Sequence, residues 1–377
     1  MNEHLALDKI SKLMEWEKHS QDKKEFARLK LLSQFKYDNY EGYEPGSRFY
    51  TNLIAWLKQF KEISDRKIAY DFLIEHLIFF SRQEVIHLVY RLWPQIHRII
   101  VNAVSVEQGI PHWEVIKNAK EAFDIQLRQS LFFGLSDGAK MDVFRRDNEG
   151  QISNEQTVVV HEVSPKRWKK MHEKLCKEIE NKNWQADPIF KHVFLIDDFT
   201  ASGTTLIRWD NKDQEWTGKI ASFIEHARLS EQVILQDPCH IHIHHYVGTS
   251  LSEKEVAKRI NEFKKFLDNE RAKGDRSLPE FDFTVSFGLV LDDRFNVTEQ
   301  NCPAFYDLLG KHYDKSVQTD TTGSVKYGYK DCGLGAVFEH NTPNNSVGLI
   351  WAETTEANIP ATNTPMAPLF RRRTRHV

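Results

Sequence analysis

Residues 193–205 read VFLIDDFTASGTT, and this stretch carries the clearest chemistry in the chain. Four apolar residues make a buried strand that ends on two adjacent carboxylates, Asp197 and Asp198. In an open parallel sheet, ligands collect at the carboxyl ends of the strands. The next residues, Thr200, Ala201, Ser202, Gly203, Thr204 and Thr205, are small and rich in hydroxyls, and they lead into the apolar-periodic LIRW at 206–209. The expected order is strand, tight loop, helix start. A phosphate monoester needs a concave loop whose amides point inward, with the positive end of a helix behind it. Residues 201–205 supply the amides, and Ser202, Thr204 and Thr205 add hydroxyl donors. Adjacent carboxylates repel inside one phosphate pocket, so their partners are ribose hydroxyls, a metal, or a proton that one of them keeps. A sugar with a terminal phosphate satisfies both halves. The phosphate loop of nucleoside triphosphatases is excluded, because GxxxxGK[ST] requires a lysine after the glycine and Gly203 is followed by Thr204. A structural turn without ligand stays open as the other reading.

The surrounding sequence must position that loop. After residue 125, short apolar runs alternate with amphipathic segments, the pattern of strands and helices around a parallel sheet. Strands are expected at 131–135, 157–163, 192–197, 240–247 and 281–291, with helices at 141–146, 166–179, 218–227 and 252–267. Before about residue 105, apolar residues recur at three and four positions, as in Phe49, Leu53, Trp56, Leu57 and Phe60, which predicts successive helices. Their aromatic residues, Trp56, Phe72, Phe79, Phe80 and Trp93, read as core packing at helical spacing. The expected division is a helical region over 1–120, an α/β domain over 121–351 and a flexible basic tail over 352–377. With 377 residues and 40% hydrophobic content the chain can bury a full core. A net charge of -3 gives no global attraction to nucleic acid or membrane. Four cysteines without a CxxC pair disfavour a zinc ribbon and a disulfide framework, and no apolar run is long enough to cross a membrane. A cytoplasmic protein is expected.

At 193–205 the sequence resembles the type I phosphoribosyltransferases, whose fingerprint is four apolar residues, two acidic residues, a short variable spacer and a hydroxyl-rich turn with Gly and Thr. Many members have Glu where Asp197 stands; both accept hydroxyl hydrogen bonds. The resemblance implies a Rossmann-like parallel-sheet core that binds phosphoribosyl pyrophosphate with Mg2+ and transfers the phosphoribosyl group to an acceptor. It implies that Asp197 and Asp198 hold the ribose hydroxyls and that residues 200–205 wrap the 5-phosphate. In that family a loop after the first core strand grips the pyrophosphate. Here it would be Ser136, Asp137 and Gly138, with Lys140 assisting the leaving group; an ordinary capped turn is the other reading. More widely, RFYTNLIAW at 48–56, LIFFSRQE at 77–84, SDG at 136–138, the paired-aspartate loop, FEHNTPNN at 338–345 and PLF at 368–370 are similar to the PRTase-CE family of predicted bacterial conflict systems. That implies an effector or regulator in anti-phage defence with protein partners. A module that senses a phosphoribosyl ligand without turnover is the alternative.

Weaker signals complete the reading. HEVSPKR at 161–167 falls where the resembling family has its mobile catalytic loop, so Lys166 or Arg167 can close over pyrophosphate, or simply start a basic helix. His240, His242 and His244 share one strand face but lack an acidic or cysteine partner at metal spacing, and no residue is assigned to hold a metal directly. Asn341, Asn344 and Asn345 are acceptor-side candidates, though asparagine also favours turns for local reasons. Arg145, Arg146 and the tail FRRRTRHV at 370–377 read as solvated, leaving nucleic acid without support as a partner.

Overall fold

The computed structural model describes residues 2–16, 22–41, 48–159, 163–229, 235–275, 277, 279–318, 323–355 and 364–372. In chain order, α1 (Glu3–Met14), α2 (Asp22–Phe35), α3 (Arg48–Lys58) and α4 (Ile63–Glu75) precede the short strand β1 (Ile78–Phe80). Next come α5 (Arg82–Gln108), α6 (Val115–Asn118), α7 (Lys120–Arg128), β2 (Ser130–Gly134), α8 (Met141–Asp147), β3 (Thr157–Val158), α9 (Pro165–Asn181) and β4 (Phe190–Phe199). A hairpin of β5 (Arg208–Asp210) and β6 (Glu215–Thr217) leads to α10 (Lys219–Arg228), β7 (Leu235–Thr249), α11 (Ser250–Ala272) and β8 (Phe281–Leu291). The order ends with α12 (Pro303–His312), β9 (Ala336–Phe338) and α13 (Gly348–Trp351). The chain forms two compact units, one of Met1–Glu84 with Asp292–Val377 and one of Val85–Leu291.

The unit Val85–Leu291 is α/β, with five strands in the order β3-β2-β4-β7-β8 and every pairing parallel. Its central strands are apolar runs because the sheet is covered on both faces, so neither set of alternating side chains meets water. Leu131, Phe133, Val193, Leu195, Ile241 and Ile243 share one buried cluster with Trp168, Met171 and Leu175 of α9, Phe223 of α10 and Val256 and Ile260 of α11. Helix α9 starts where the sequence allows it, since Ser164 caps it by accepting from the Arg167 amide and Pro165 occupies its first turn. Of the strand expected at 157–163, only Thr157–Val158 pairs with the sheet, and residues 160–162 lie outside the described residues.

The other unit is built on α1 to α4, but it does not end where the expected boundary falls. Strand β1 pairs in parallel with β9, Ile78 opposite Ala336, and Phe305 of α12 stacks on Phe72 of α4 with ring centroids 3.7 Å apart. These contacts draw residues 292–351 into the helical unit rather than into the α/β domain. Conversely, the Val85–Leu291 unit takes most of α5 together with α6, which the 1–120 boundary had assigned to the helical region. The tail is also anchored before it ends. Met366, Leu369 and Phe370 are at most 2% exposed, and the amides of Leu369 and Phe370 donate to the Ile350 carbonyl at 2.9 and 3.0 Å. Arginines beyond 372 lie outside the described residues. At the start of α5, Ser81 and Glu84 form a capping box, with Glu84 accepting from the Ser81 amide and hydroxyl at 2.7 Å each. Among the described residues no helix is long and apolar enough to cross a membrane.

Candidate functional site

Strand β4 delivers its two carboxylates to different surroundings. Asp197 is 2% exposed, whereas Asp198 is half-buried. Alternation along the strand explains the split: in register with β7, Asp197 lies opposite His245 on the face of Leu195 and Ile243, and Asp198 on the opposite face. Asp197 is held by the Lys219 ammonium on Oδ2 and by the Ser136 hydroxyl on Oδ1. Burial pushes its carboxyl up to about 6, against the pull of Lys219 and with a further upward push from Asp198.

The two loops named from the sequence meet here. The Leu135 amide donates to the Ile196 carbonyl at 2.7 Å, which brings Ser136 beside the aspartates, 3.2 Å from Asp198 Oδ1. Asp137–Ala139 form one tight turn, and Tyr246 fixes it by donating its hydroxyl to the Ala139 carbonyl at 2.8 Å. Gly138 is needed for close approach, not for an unusual backbone angle: a β-carbon there would sit 2.1 Å from Asp198 Oδ2. The left-handed position is Lys140, with φ 49°.

Beyond Asp198 the loop is pinned by its carbonyl oxygens. The Ala201 carbonyl accepts from Thr249 Oγ1 at 2.8 Å, that of Ser202 from Arg259 at 2.9 Å, and that of Gly203 from the amides of Leu206 and Ile207 at 3.2 Å each. The Thr204 carbonyl accepts from Arg208 at 3.1 Å and the Thr205 carbonyl from the Lys219 amide at 3.1 Å. Among the described residues, the amides of 201–205 meet no acceptor. Five consecutive carbonyls are satisfied and five consecutive amides are left over, so the loop offers donors alone. Gly203 permits this with φ +70°, and a β-carbon there would also lie 2.7 Å from Val256 Cγ2. The Ser202 and Thr204 hydroxyls lie 2.9 Å apart.

The helix expected at 206–209 does not form there. Arg208–Asp210 instead pairs with Glu215–Thr217 as an antiparallel hairpin, with Trp209 opposite Trp216. Helix α10 starts after it, and its first two amides, Lys219 and Ile220, donate to the carbonyls of Thr205 and Leu206. The hairpin is thus an insertion between the loop and the helix that follows it. The insertion also brings in Lys219, which sequence reasoning missed; its only local signal is a Gly-Lys pair ahead of an apolar-periodic run.

A family model for PRTase-CE matches residues 53–372. The chain belongs to the PRTase-CE family. No curated protein and no solved structure matches it. The PRTase-CE match supports a phosphoribosyltransferase-like function, in agreement with the parallel sheet and with the position of the paired-aspartate loop at its carboxyl edge.

The remaining candidates of this PRTase-CE chain have other surroundings. Asn341, Asn344 and Asn345 belong to the Met1–Glu84 and Asp292–Val377 unit. Asn341 accepts from the Thr342 amide at 2.9 Å, the Asn344 carbonyl accepts from the Tyr329 amide at 2.7 Å, and the Asn345 side-chain amide donates to the Tyr329 carbonyl at 3.1 Å. These are turn-fixing bonds. His242 contacts His192 at 3.2 Å and Thr284 at 2.6 Å, and His244 contacts Ser286 at 2.9 Å. Among the described residues no group of three or more His, Cys, Asp or Glu side chains is arranged to hold a metal ion. His161 and Glu162 lie outside the described residues.

Proposed function

We propose that this PRTase-CE protein binds phosphoribosyl pyrophosphate, or a closely related ribose 5-phosphate, and that from phosphoribosyl pyrophosphate it transfers the phosphoribosyl group to a nitrogen or hydroxyl acceptor, which gives up its proton as pyrophosphate is released. The observation that carries the reading is the loop 201–205, whose five amides have no acceptor among the described residues while its five carbonyls are all bonded. Thr200 precedes this loop and ties it to β7 through its amide, 3.1 Å from the Val247 carbonyl. A 5-phosphate on those amides, with the hydroxyls of Ser202, Thr204 and Thr205 beside them, sets the ribose over Asp198. Asp198 takes the ribose hydroxyls, and Asp197 stands behind it as the acceptor that fixes Ser136 and Lys219. The pyrophosphate lies over Ser136, Asp137 and Gly138, and Lys140 neutralises charge as it leaves. Positioning supplies much of the rate, because the transition state is loose and needs no covalent nucleophile.

Mg2+ fits this arrangement as a companion of the ligand. The chain offers Asp198 and no ready-made cage of carboxylates among the described residues, which suits a hard cation that keeps waters and takes phosphate oxygens. Its chemistry there is to neutralise the pyrophosphate. A role as an effector of bacterial defence acting with protein partners follows from the family resemblance.

Sensing without turnover is the second reading, favoured by the Lys219 pair, which leaves a single carboxylate facing the ligand. Incubation with phosphoribosyl pyrophosphate and Mg2+, with and without bases, nucleotides or tRNA, separates the two. Transfer releases pyrophosphate, sensing gives binding alone, and loss of neither on Asp197→Asn with Asp198→Asn would falsify both.

A further inference from the structure

Arg145 on α8 and Arg167, Lys170 and Lys174 on α9 line one cleft of about 710 Å³. The sequence gives no reason to join them, since Arg145 and Arg167 lie on different helices. Positions 167, 170 and 174 share a helix face, and at 1.5 Å per residue they spread positive charge over about 10 Å. Among the described residues the carboxylate lining the cleft is Glu155, which already answers the buried Arg128 at 3.4 Å. Among the described residues none of the four cations has a carboxylate partner. Like charges gathered in a cleft repel one another, and a multivalent anion relieves that repulsion.

Two further observations narrow the ligand. Thr157 lines the cleft, is 7% exposed, and its Oγ1 has no hydrogen-bond partner. A buried hydroxyl left unsatisfied keeps its desolvation cost, which a ligand oxygen can relieve. Among the described residues no aromatic side chain lines the cleft, so a base finds no stacking platform there. Recognition must fall on phosphate groups, which guanidinium ions bind in bidentate fashion.

The cleft is separate from the loops described above. Its lining takes in the edge strand β3 together with Asn154 and Glu155 ahead of that strand, and no residue of 136–140 or 197–205 lines it. We propose that it is a second phosphate site, taking the phosphate chain of a nucleoside polyphosphate without reading the base. This inference rests on the cleft's own residues, with Arg167 lining this cleft and not the 136–140 turn offered for the pyrophosphate, and so stands apart from the phosphoribosyl reading.

The test uses the full chain and fluorescent N-methylanthraniloyl derivatives of ATP and GTP, followed by anisotropy at low and moderate salt. Both nucleotides should bind with affinities within about threefold, weaken with salt and be displaced by inorganic tripolyphosphate. Ribose 5-phosphate should not displace them. Arg145→Ala with Arg167→Ala, and separately Lys170→Glu with Lys174→Glu, should each weaken binding by about tenfold or more while circular dichroism and Tm stay near wild type. Thr157→Val, which keeps the shape and removes the hydroxyl, should weaken binding without lowering Tm. The proposal is overturned if neither nucleotide binds, if the arginine pair can be removed without effect, if ribose 5-phosphate competes, or if a 12-nucleotide single-stranded RNA binds where tripolyphosphate cannot displace it.

Discussion

The Lys219 ammonium, at the first position of α10, donates to Oδ2 of Asp197 at the end of β4. This pair fastens the helix to the strand across the inserted hairpin, and it keeps a buried carboxylate supplied with a cation. Removing one partner of a buried pair strands the other, which typically costs about 3–5 kcal/mol.

Lys219→Met therefore has a pH signature. Burial holds Asp197 at about 6, above its unfolded value, and Lys219 is the largest influence pulling it down. Without Lys219 the carboxyl moves higher still. Because the folded value exceeds the unfolded one, the stability tied to Asp197 is complete at low pH and declines as pH rises through the folded value. The variant should be least destabilised near pH 5 and most near pH 8, and the acid limb of ligand binding should shift upward. Denaturant titrations at both pH values and a binding profile check this; equal destabilisation at both would refute it.

Gly138→Ala tests how tightly the two loops fit. The new methyl group would meet Asp198 Oδ2 at 2.1 Å, so the carboxylate must move. Phosphoribosyl binding should weaken about tenfold or more, equivalent to about 1.4 kcal/mol, with a small change in Tm. Calorimetric titration with phosphoribosyl pyrophosphate reads the first and thermal melting the second.

Gly203→Ala acts on backbone conformation as well as space. Placing a β-carbon at φ +70° costs about 1–2 kcal/mol, and Val256 Cγ2 must also give way from 2.7 Å. A loss of stability in that range, together with loss of ribose 5-phosphate binding, is expected from chemical denaturation and titration.

The buried histidines set the acid limit of the α/β unit. Desolvation lowers His242 to about 3, His244 to about 4 and His245 to about 3, and it lowers His192 well below its ordinary value. These groups are neutral in the fold and bind protons when it unfolds, so stability is present above about pH 6.5 and is lost as pH falls toward their folded values. The raised Asp197 acts in the opposite direction, but it is one group against four. His245 is fully buried and neither ring nitrogen has a partner. His245→Leu should move the acid-unfolding midpoint to lower pH, monitored by tryptophan fluorescence; an unchanged midpoint would count against the account.

The sequence by itself determined the parallel sheet, the positions of its central strands along the chain and the candidate loop. Apolar runs of strand length alternating with amphipathic helices have few other solutions, and a strand ending in DDFTASGTT names donors and acceptors locally. It also carried the aromatic core of the helical unit, as at Trp56 and Phe72. Only the tertiary structure decided the rest. The pairing of β1 with β9, the anchoring of Phe370, the insertion of the hairpin at 208–217 and the arrival of Lys219 at Asp197 join residues that local pattern cannot connect. The physical reason is that burial and hydrogen-bond satisfaction are settled by which surfaces meet. Asp197 and Asp198 are neighbours of the same type, yet strand alternation buries one beside a lysine and leaves the other half-exposed at the cradle.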